Sequence, residues 1–204
     1  MYPLFESVCV AGAAVQHGAY HEARFRASYE KLYEKNPGFS LWEGISLQGA
    51  DPSLTYKLRI RYRETGTDWE LAEYRSRLPE TLRLVCDDSV SYSLKYSDRQ
   101  ALERLVAQRD GADDVLIVRE GLVTDSSYCN ILFWDGRIVT TPKRPLLEGT
   151  CRARLIRENH ICEADVPAEG LHAYRGFQLV NALNDFDPGR WRPMEHILPQ
   201  GASL

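Results

Sequence analysis

Lysine is scarce in this 204-residue chain: Lys31, Lys35, Lys57, Lys95 and Lys143 stand against twenty arginines. No stretch approaches the ~20 apolar residues that cross a bilayer. The opening Met-Tyr-Pro-Leu-Phe-Glu-Ser has neither the basic region nor the apolar run of a signal peptide. A soluble, cytoplasmic protein without a membrane partner is therefore expected. A net charge of -4 and a pI near 5.8 provide no field to recruit a polyanion, so nucleic acid is not an expected partner. The cysteines, Cys9, Cys86, Cys129, Cys151 and Cys162, form no C-x-x-C pair and none stands at zinc-finger distance from a histidine. His17, His21, His160, His172 and His196 suggest no metal triad. G-x-S-x-G, Walker and G-x-G-x-x-G motifs are all missing, which removes the usual support for a serine hydrolase or a nucleotide binder.

What is present is ordinary for a globular protein, with 44% hydrophobic and 26% charged residues and enough length to bury a core. Phe5 to Val15 suits a buried strand and a turn at Ala11–Gly12. Tyr20 to Lys35 reads as a helix with Tyr20, Ala23, Ala27, Leu32 and Tyr33 on one stripe, ended by Asn36-Pro37-Gly38. From Thr55 to Arg63 the pattern alternates: Leu58, Ile60 and Tyr62 share one face, Lys57, Arg59, Arg61 and Arg63 the other. The basic face suits either an anionic ligand or a solvated outer face of an antiparallel sheet. Gly66 and Asp68 mark a turn into a partner strand, Trp69 to Tyr74.

Further strands are expected at Leu82–Cys86, Ser91–Leu94, Val115–Val118, Ile131–Trp134, Arg137–Val139 and Phe177–Ala182, with a hairpin turn at Asp135-Gly136. Helices are expected from Asp98 toward Gly111, carrying Leu102, Leu105 and Val106 inward, and over Cys151 to Asn159. Without a regular βαβ rhythm, this is an α+β pattern with antiparallel sheets. A boundary near Leu78-Pro79-Glu80 divides it into a small N-terminal part, 1–78, and a larger part, 79–204.

Among the lysines, Lys31 and Lys35 lie on a polar helix face, Lys57 on an exposed strand face and Lys143 in a loop. Lys95 alone ends an apolar-leaning strand beside a helix start. A lysine must lose its proton to attack an aldehyde, and burial makes that easier; arginine stays protonated and cannot substitute. Pattern alone still favours a structural salt bridge for Lys95.

Several segments resemble the class IV aminotransferases, the fold-type IV pyridoxal-phosphate enzymes. Leu94-Lys95-Tyr96-Ser97-Asp98-Arg99 is similar to Leu-Lys-x-x-Asn-Arg around the cofactor lysine. Gly121 to Phe133 resembles G-x-[VI]-[ST]-E-x-x-x-x-N-[LI]-F. Thr141-Pro142 with Leu146-Leu147-Glu148-Gly149-Thr150-Cys151-Arg152 resembles T-P…L-x-G-[IV]-x-R, and upstream Phe5-Glu6-Ser7 and His21-Glu-Ala-Arg24 resemble F-E-T and H-x-x-R. Order and spacing agree across most of the chain.

The resemblance implies pyridoxal 5'-phosphate as cofactor, bound covalently by Lys95, which would also shuttle a substrate proton. Asp125, one methylene shorter than the family's glutamate, would face the pyridine nitrogen. Arg24 would clamp the phosphate, as would the backbone N–H groups of Thr150 and Cys151 following Gly149. Cys151 stands where a threonine is frequent, so a hydroxyl contact would be missing. Asn181-Ala182-Leu183 is similar to a lyase segment near the cofactor. The implied fold is the two-domain D-amino-acid aminotransferase architecture. Because the chain starts close to Phe5-Glu6-Ser7, a shortened N-terminal domain is expected, and a homodimer is implied. The implied activity is 4-amino-4-deoxychorismate lyase, with amino-acid transamination as the alternative; the small-molecule substrate is aminodeoxychorismate or an amino acid. A non-catalytic relative is the reading from another class, and Lys95 and Asp125 together argue against it.

Overall fold

The computed structural model describes residues 2–201. The chain forms two compact units: one runs through Ser76 and takes in Leu94–Asp98, the other holds Arg77–Ser93 and the chain from Arg99 onward.

In the first unit, β1 (Leu4–Ala11), β2 (Ala14–Val15), α1 (Gly18–Tyr33), β3 (Tyr56–Arg63) and β4 (Gly66–Glu73) build a four-stranded antiparallel sheet in the order β2-β1-β3-β4. The alternation in β3 fixes its faces as expected. Leu58, Ile60 and Tyr62 are buried and meet Leu4, Val8 and Val10 of β1 in one core with Phe25, Tyr29 and Leu41. Helix α1 buries a different stripe from the expected one. His21, Phe25, Ser28 and Tyr29 face inward, whereas Ala23 and Ala27 are exposed. The two aromatic rings carry most of the apolar area, and alanine positions say little about which face is wet. The hairpin between β3 and β4 turns at Glu64–Thr65, with Gly66 already paired to Arg63.

The Lys95 segment is not the expected strand. Its backbone runs beside β1 through an isolated bridge, Leu4 to Tyr96. Phe5 N–H donates to the Lys95 carbonyl at 3.1 Å, and Ser97 N–H to that of Pro3 at 2.7 Å. Leu94, buried in the first unit's core, anchors it.

The second unit comprises β5 (Leu82–Cys86), α2 (Gln100–Val106), β6 (Asp114–Arg119), β7 (Leu122–Ser126), β8 (Asn130–Trp134), β9 (Val139–Pro142), α3 (Thr150–Arg157), β10 (Cys162–Ala164), β11 (Gly176–Val180) and β12 (Ile197–Leu198). Its sheet runs β10-β9-β8-β7-β6-β5-β12, with β11 also paired to β8. The expectation of purely antiparallel sheets is corrected here: β5–β6, β9–β10 and β5–β12 are parallel pairs, so the sheet is mixed. Strands β8 and β11 are buried on both faces. Ile131, Phe133, Phe177 and Leu179 enter one core with Leu116, Val118 and Val123, while Leu132 and Val180 enter another with Cys151 and Leu155 of α3. Among the described residues no helix is long and apolar enough to cross a membrane.

Candidate active site

In the first unit, α1 carries His21 and Arg24 three residues apart, on one helical face. Both reach Glu6, whose position on β1 places it among the inward residues Leu4 and Val8. Arg24 donates from Nε to Glu6 Oε1 at 2.9 Å and from Nη2 to Oε2 at 2.5 Å, and His21 Nδ1 lies 2.7 Å from Oε2. Burial by itself raises the Glu6 carboxyl, but Arg24 and His21 outweigh it and hold the group at about 2. Glu6 is thus a permanent anion that fixes the guanidinium of Arg24 along one edge.

Lys95 is half-buried. Its ammonium lies 5.0 Å from the centroid of the Phe5 ring, and the guanidinium carbon of Arg59 lies 4.2 Å from the same point.

In the second unit, β7 and β8 are joined by a tight turn in which Ser126 and Cys129 bond each other, Ser126 N–H to the Cys129 carbonyl and Cys129 N–H to Ser126 Oγ. That turn makes Asp125 and Asn130 direct cross-strand partners. The motif's four-residue spacer therefore brings two polar side chains into contact. Asn130 Nδ2 donates to Asp125 Oδ1 at 2.7 Å and to the Leu147 carbonyl at 3.0 Å, and Leu147 N–H donates to Asp125 Oδ2 at 3.0 Å. Asp125 is buried, and burial pushes its carboxyl up to about 6 despite these two donors.

Gly149 closes this cluster. A Cβ built there would lie 1.8 Å from Asn130 Oδ1, so only glycine lets the chain pass the asparagine. Gly149 also precedes α3 in extended conformation, and no side chain caps the helix. Thr150 and Cys151 open the helix, so their backbone N–H groups lie at the positive end of its dipole. Cys151 donates its thiol to Asp185 at 3.4 Å; burial and that carboxylate push the thiol up to about 12, so it stays protonated and is not a nucleophile. Thr150 is buried at the same turn.

The structure therefore groups Arg24 with Glu6 and His21, Lys95 with Phe5 and Arg59, and Asp125 with Asn130 and Gly149. Glu6, His21 and Asn130 lie inside motifs that give them no role; His21, three residues before Arg24, and Asn130, five after Asp125, carried a spacing signal, whereas Glu6, eighteen residues before Arg24, carried none. Arg59 stood in the basic strand pattern, with nothing to separate it from its neighbours.

These groups fit pyridoxal phosphate in their chemistry. A buried carboxylate lifted to about 6 and served only by neutral donors suits a protonated ring nitrogen. An uncapped eight-residue helix and a fixed guanidinium suit a phosphate, and a lysine amine suits an aldehyde.

Comparison with known proteins agrees. Residues 88–188 match the amino-transferase class IV family. Over 186 residues the chain is 34% identical to an uncharacterised protein of Haemophilus influenzae, covering 90% of this chain and 99% of that one. The structure of a candidate 4-amino-4-deoxychorismate lyase of Haemophilus somnus 129PT superposes with a TM-score of 0.86 at 31% identity, covering 91% of this chain and 98% of that chain. A hypothetical aminotransferase of Mycobacterium tuberculosis in its PLP-bound form shares the fold, with a TM-score of 0.73 at 16% identity over 99% of this chain and 82% of that one. The chain belongs to the class IV aminotransferase family, and is an enzyme of that family's kind with pyridoxal 5'-phosphate as its cofactor.

Proposed function

We propose that this enzyme is a lyase that splits 4-amino-4-deoxychorismate into pyruvate and 4-aminobenzoate. The observation that carries the proposal is the 31% identity to the candidate lyase, spanning 98% of that chain. The Asn181-Ala182-Leu183 loop adds support. Asn181 and Asn184 exchange backbone bonds at 3.0 and 3.1 Å, Asn181 Oδ1 accepts Leu183 N–H, and Asn181 Nδ2 donates to Cys129 Sγ at 3.1 Å. The loop is thereby tied to the turn that pairs Asp125 with Asn130.

Bound pyridoxal phosphate supplies a ring that accepts electrons from the carbon bearing the substrate amine. In this reading Lys95 holds the cofactor and then moves the proton at that carbon. Asp125 keeps the ring nitrogen protonated, and Arg24 with the first turn of α3 retains the phosphate. Substrate and products balance without a co-substrate, because pyruvate and 4-aminobenzoate together contain every atom of aminodeoxychorismate. The reading includes a cytoplasmic homodimer acting in folate synthesis.

The decisive assay incubates the loaded enzyme with 4-amino-4-deoxychorismate and, separately, with an amino acid plus 2-oxoglutarate. Pyruvate released with no 2-oxo acid added is the expected result. Glutamate formation with no pyruvate from aminodeoxychorismate would assign transamination instead, which starts from the same proton removal.

A further inference from the structure

Strands β7 and β8 pair through a single residue couple, Asp125 opposite Asn130. One couple is a weak hold on register, since even a complete two-stranded hairpin is marginal by itself. On its other side β7 leans on β6, but the register there shifts between Leu116 and Val118, next to the Leu116–Ser126 pair. A slip of one residue would turn Asp125 to the opposite face of the strand. The turn from Ser126 to Cys129 therefore matters to where Asp125 points, and so do the side chains that grip it.

Two charged side chains meet that turn at one residue. Ser127 N–H donates to Asp114 Oδ2 at 3.3 Å, and the Ser127 carbonyl accepts from Arg99 Nη2 at 2.9 Å. The hydroxyls of Ser126 and Ser127 also bond the Asp114 carboxylate, which is buried at the start of β6. Arg99 stands immediately before α2, half-buried, with its guanidinium carbon 5.9 Å from the ring centroid of buried Tyr92. Hydrogen bonds to ionised groups are roughly twice as strong as neutral ones. With its N–H on an anion and its carbonyl on a cation, Ser127 has neither peptide group free to turn. Arg99 also ends the motif around Lys95, where spacing gave it no role.

We propose that Arg99 and Asp114 are positioning residues: by holding the peptide groups of Ser127 they fix the turn that presents Asp125 to the cofactor's ring nitrogen. The inference rests on the reading that Asp125 faces that nitrogen, and not on whether the reaction is lyase or transaminase chemistry.

The test is nitrogen-15 NMR across pH on the protein loaded with pyridoxal 5'-phosphate labelled at its ring nitrogen. An adjacent carboxylate keeps that nitrogen protonated to higher pH, so Asp125→Asn should lower its titration midpoint by about 1–3 units. Arg99→Met removes the donor and keeps the apolar bulk; it should lower the midpoint by about one unit. Arg99→Lys, which keeps a cationic donor, should fall between Arg99→Met and the wild type. Asp114→Asn keeps the side chain's shape and takes away one acceptor. It should move the midpoint in the same direction, and it carries the test where Arg99→Met does not load. Lower stability alone leaves the nitrogen unmoved in molecules that stay folded and loaded, so this readout separates positioning from a purely structural role. A wild-type midpoint in loaded Arg99→Met or Asp114→Asn, with Asp125→Asn shifted, would overturn that residue's role and leave Asp125 in place. An unshifted midpoint in Asp125→Asn would overturn the underlying reading, and the positioning roles with it.

Discussion

Glu6 and Asp125 are both buried carboxylates, one in each unit, and their surroundings push them in opposite directions. Glu6 has cationic neighbours at hydrogen-bond distance, Arg24 and His21, and is held at about 2. Asp125 is contacted by an amide side chain and a backbone N–H, both neutral, and rises to about 6. Neutral donors position a carboxylate without meeting its charge. Glu6 is therefore a finished ion pair whose work is to hold Arg24. Among the described residues Asp125 has no cation at hydrogen-bond distance, and the charge of Arg152 offsets its burial only in part; such a carboxylate suits a protonated ring nitrogen.

Removing Glu6 should have the largest effect. Glu6→Ala removes the carboxylate that Arg24 and His21 share, and breaking a buried pair by deleting one partner costs about 3–5 kcal/mol. Urea unfolding of the cofactor-free protein should show that loss; a change under about 1 kcal/mol would mean the cluster is effectively solvated.

Asp125→Asn should be milder for the fold and severe for turnover. Loss of one preorganised electrostatic group typically lowers kcat by about 10²–10³-fold. Steady-state kinetics at full cofactor saturation measure it, and near-normal kcat would show that the carboxylate is structural.

The contrast also predicts opposite pH dependences. Glu6, with a lowered pKa, contributes stability that is present above about 4.5 and lost as pH falls toward 2. Asp125, with a raised pKa, contributes stability that is present below about 3.8 and lost as pH rises through 6. A displacement of about two pH units amounts to about 3 kcal/mol. Cofactor-free wild type should thus gain stability between pH 7.5 and 5, and Asp125→Asn should lose most of that gain. Parallel pH profiles for the two proteins would contradict the buried, uncompensated state of Asp125.

The smallest predicted effect comes from Gly149→Ala. The added methyl meets Asn130 Oδ1, and displacing an asparagine pinned by two hydrogen bonds costs about 1–3 kcal/mol, as overpacking generally does. Asn130→Ala in the same background should recover part of the loss, and a purely additive double mutant would place the strain elsewhere.

Which parts of this arrangement the sequence disclosed follows from the physics of each segment. The alternation in β3 was legible because one face is apolar and the other charged. Strand β7 was not read as a strand. Thr124, Asp125 and Ser126 are consecutive buried polar residues, a pattern that looks like a loop until their partners are known: the Ile117 carbonyl for Thr124, Asn130 and Leu147 for Asp125, Cys129 for Ser126. The parallel pairing of β5 with β6 was hidden because both are short apolar runs, and α2 between them is only seven residues long. In the candidate site, motif spacing singled out Lys95, Arg24, Asp125 and Gly149. It could not show that Glu6 and Asn130 hold two of them.

Cofactor attachment at Lys95 tests the account most directly. After incubation with pyridoxal 5'-phosphate and reduction with borohydride, peptide mapping by mass spectrometry should find one pyridoxyl group, on the peptide containing Lys95. The unreduced protein should be yellow. A label on Lys57 or Lys143, or none after incubation with excess cofactor, would contradict it.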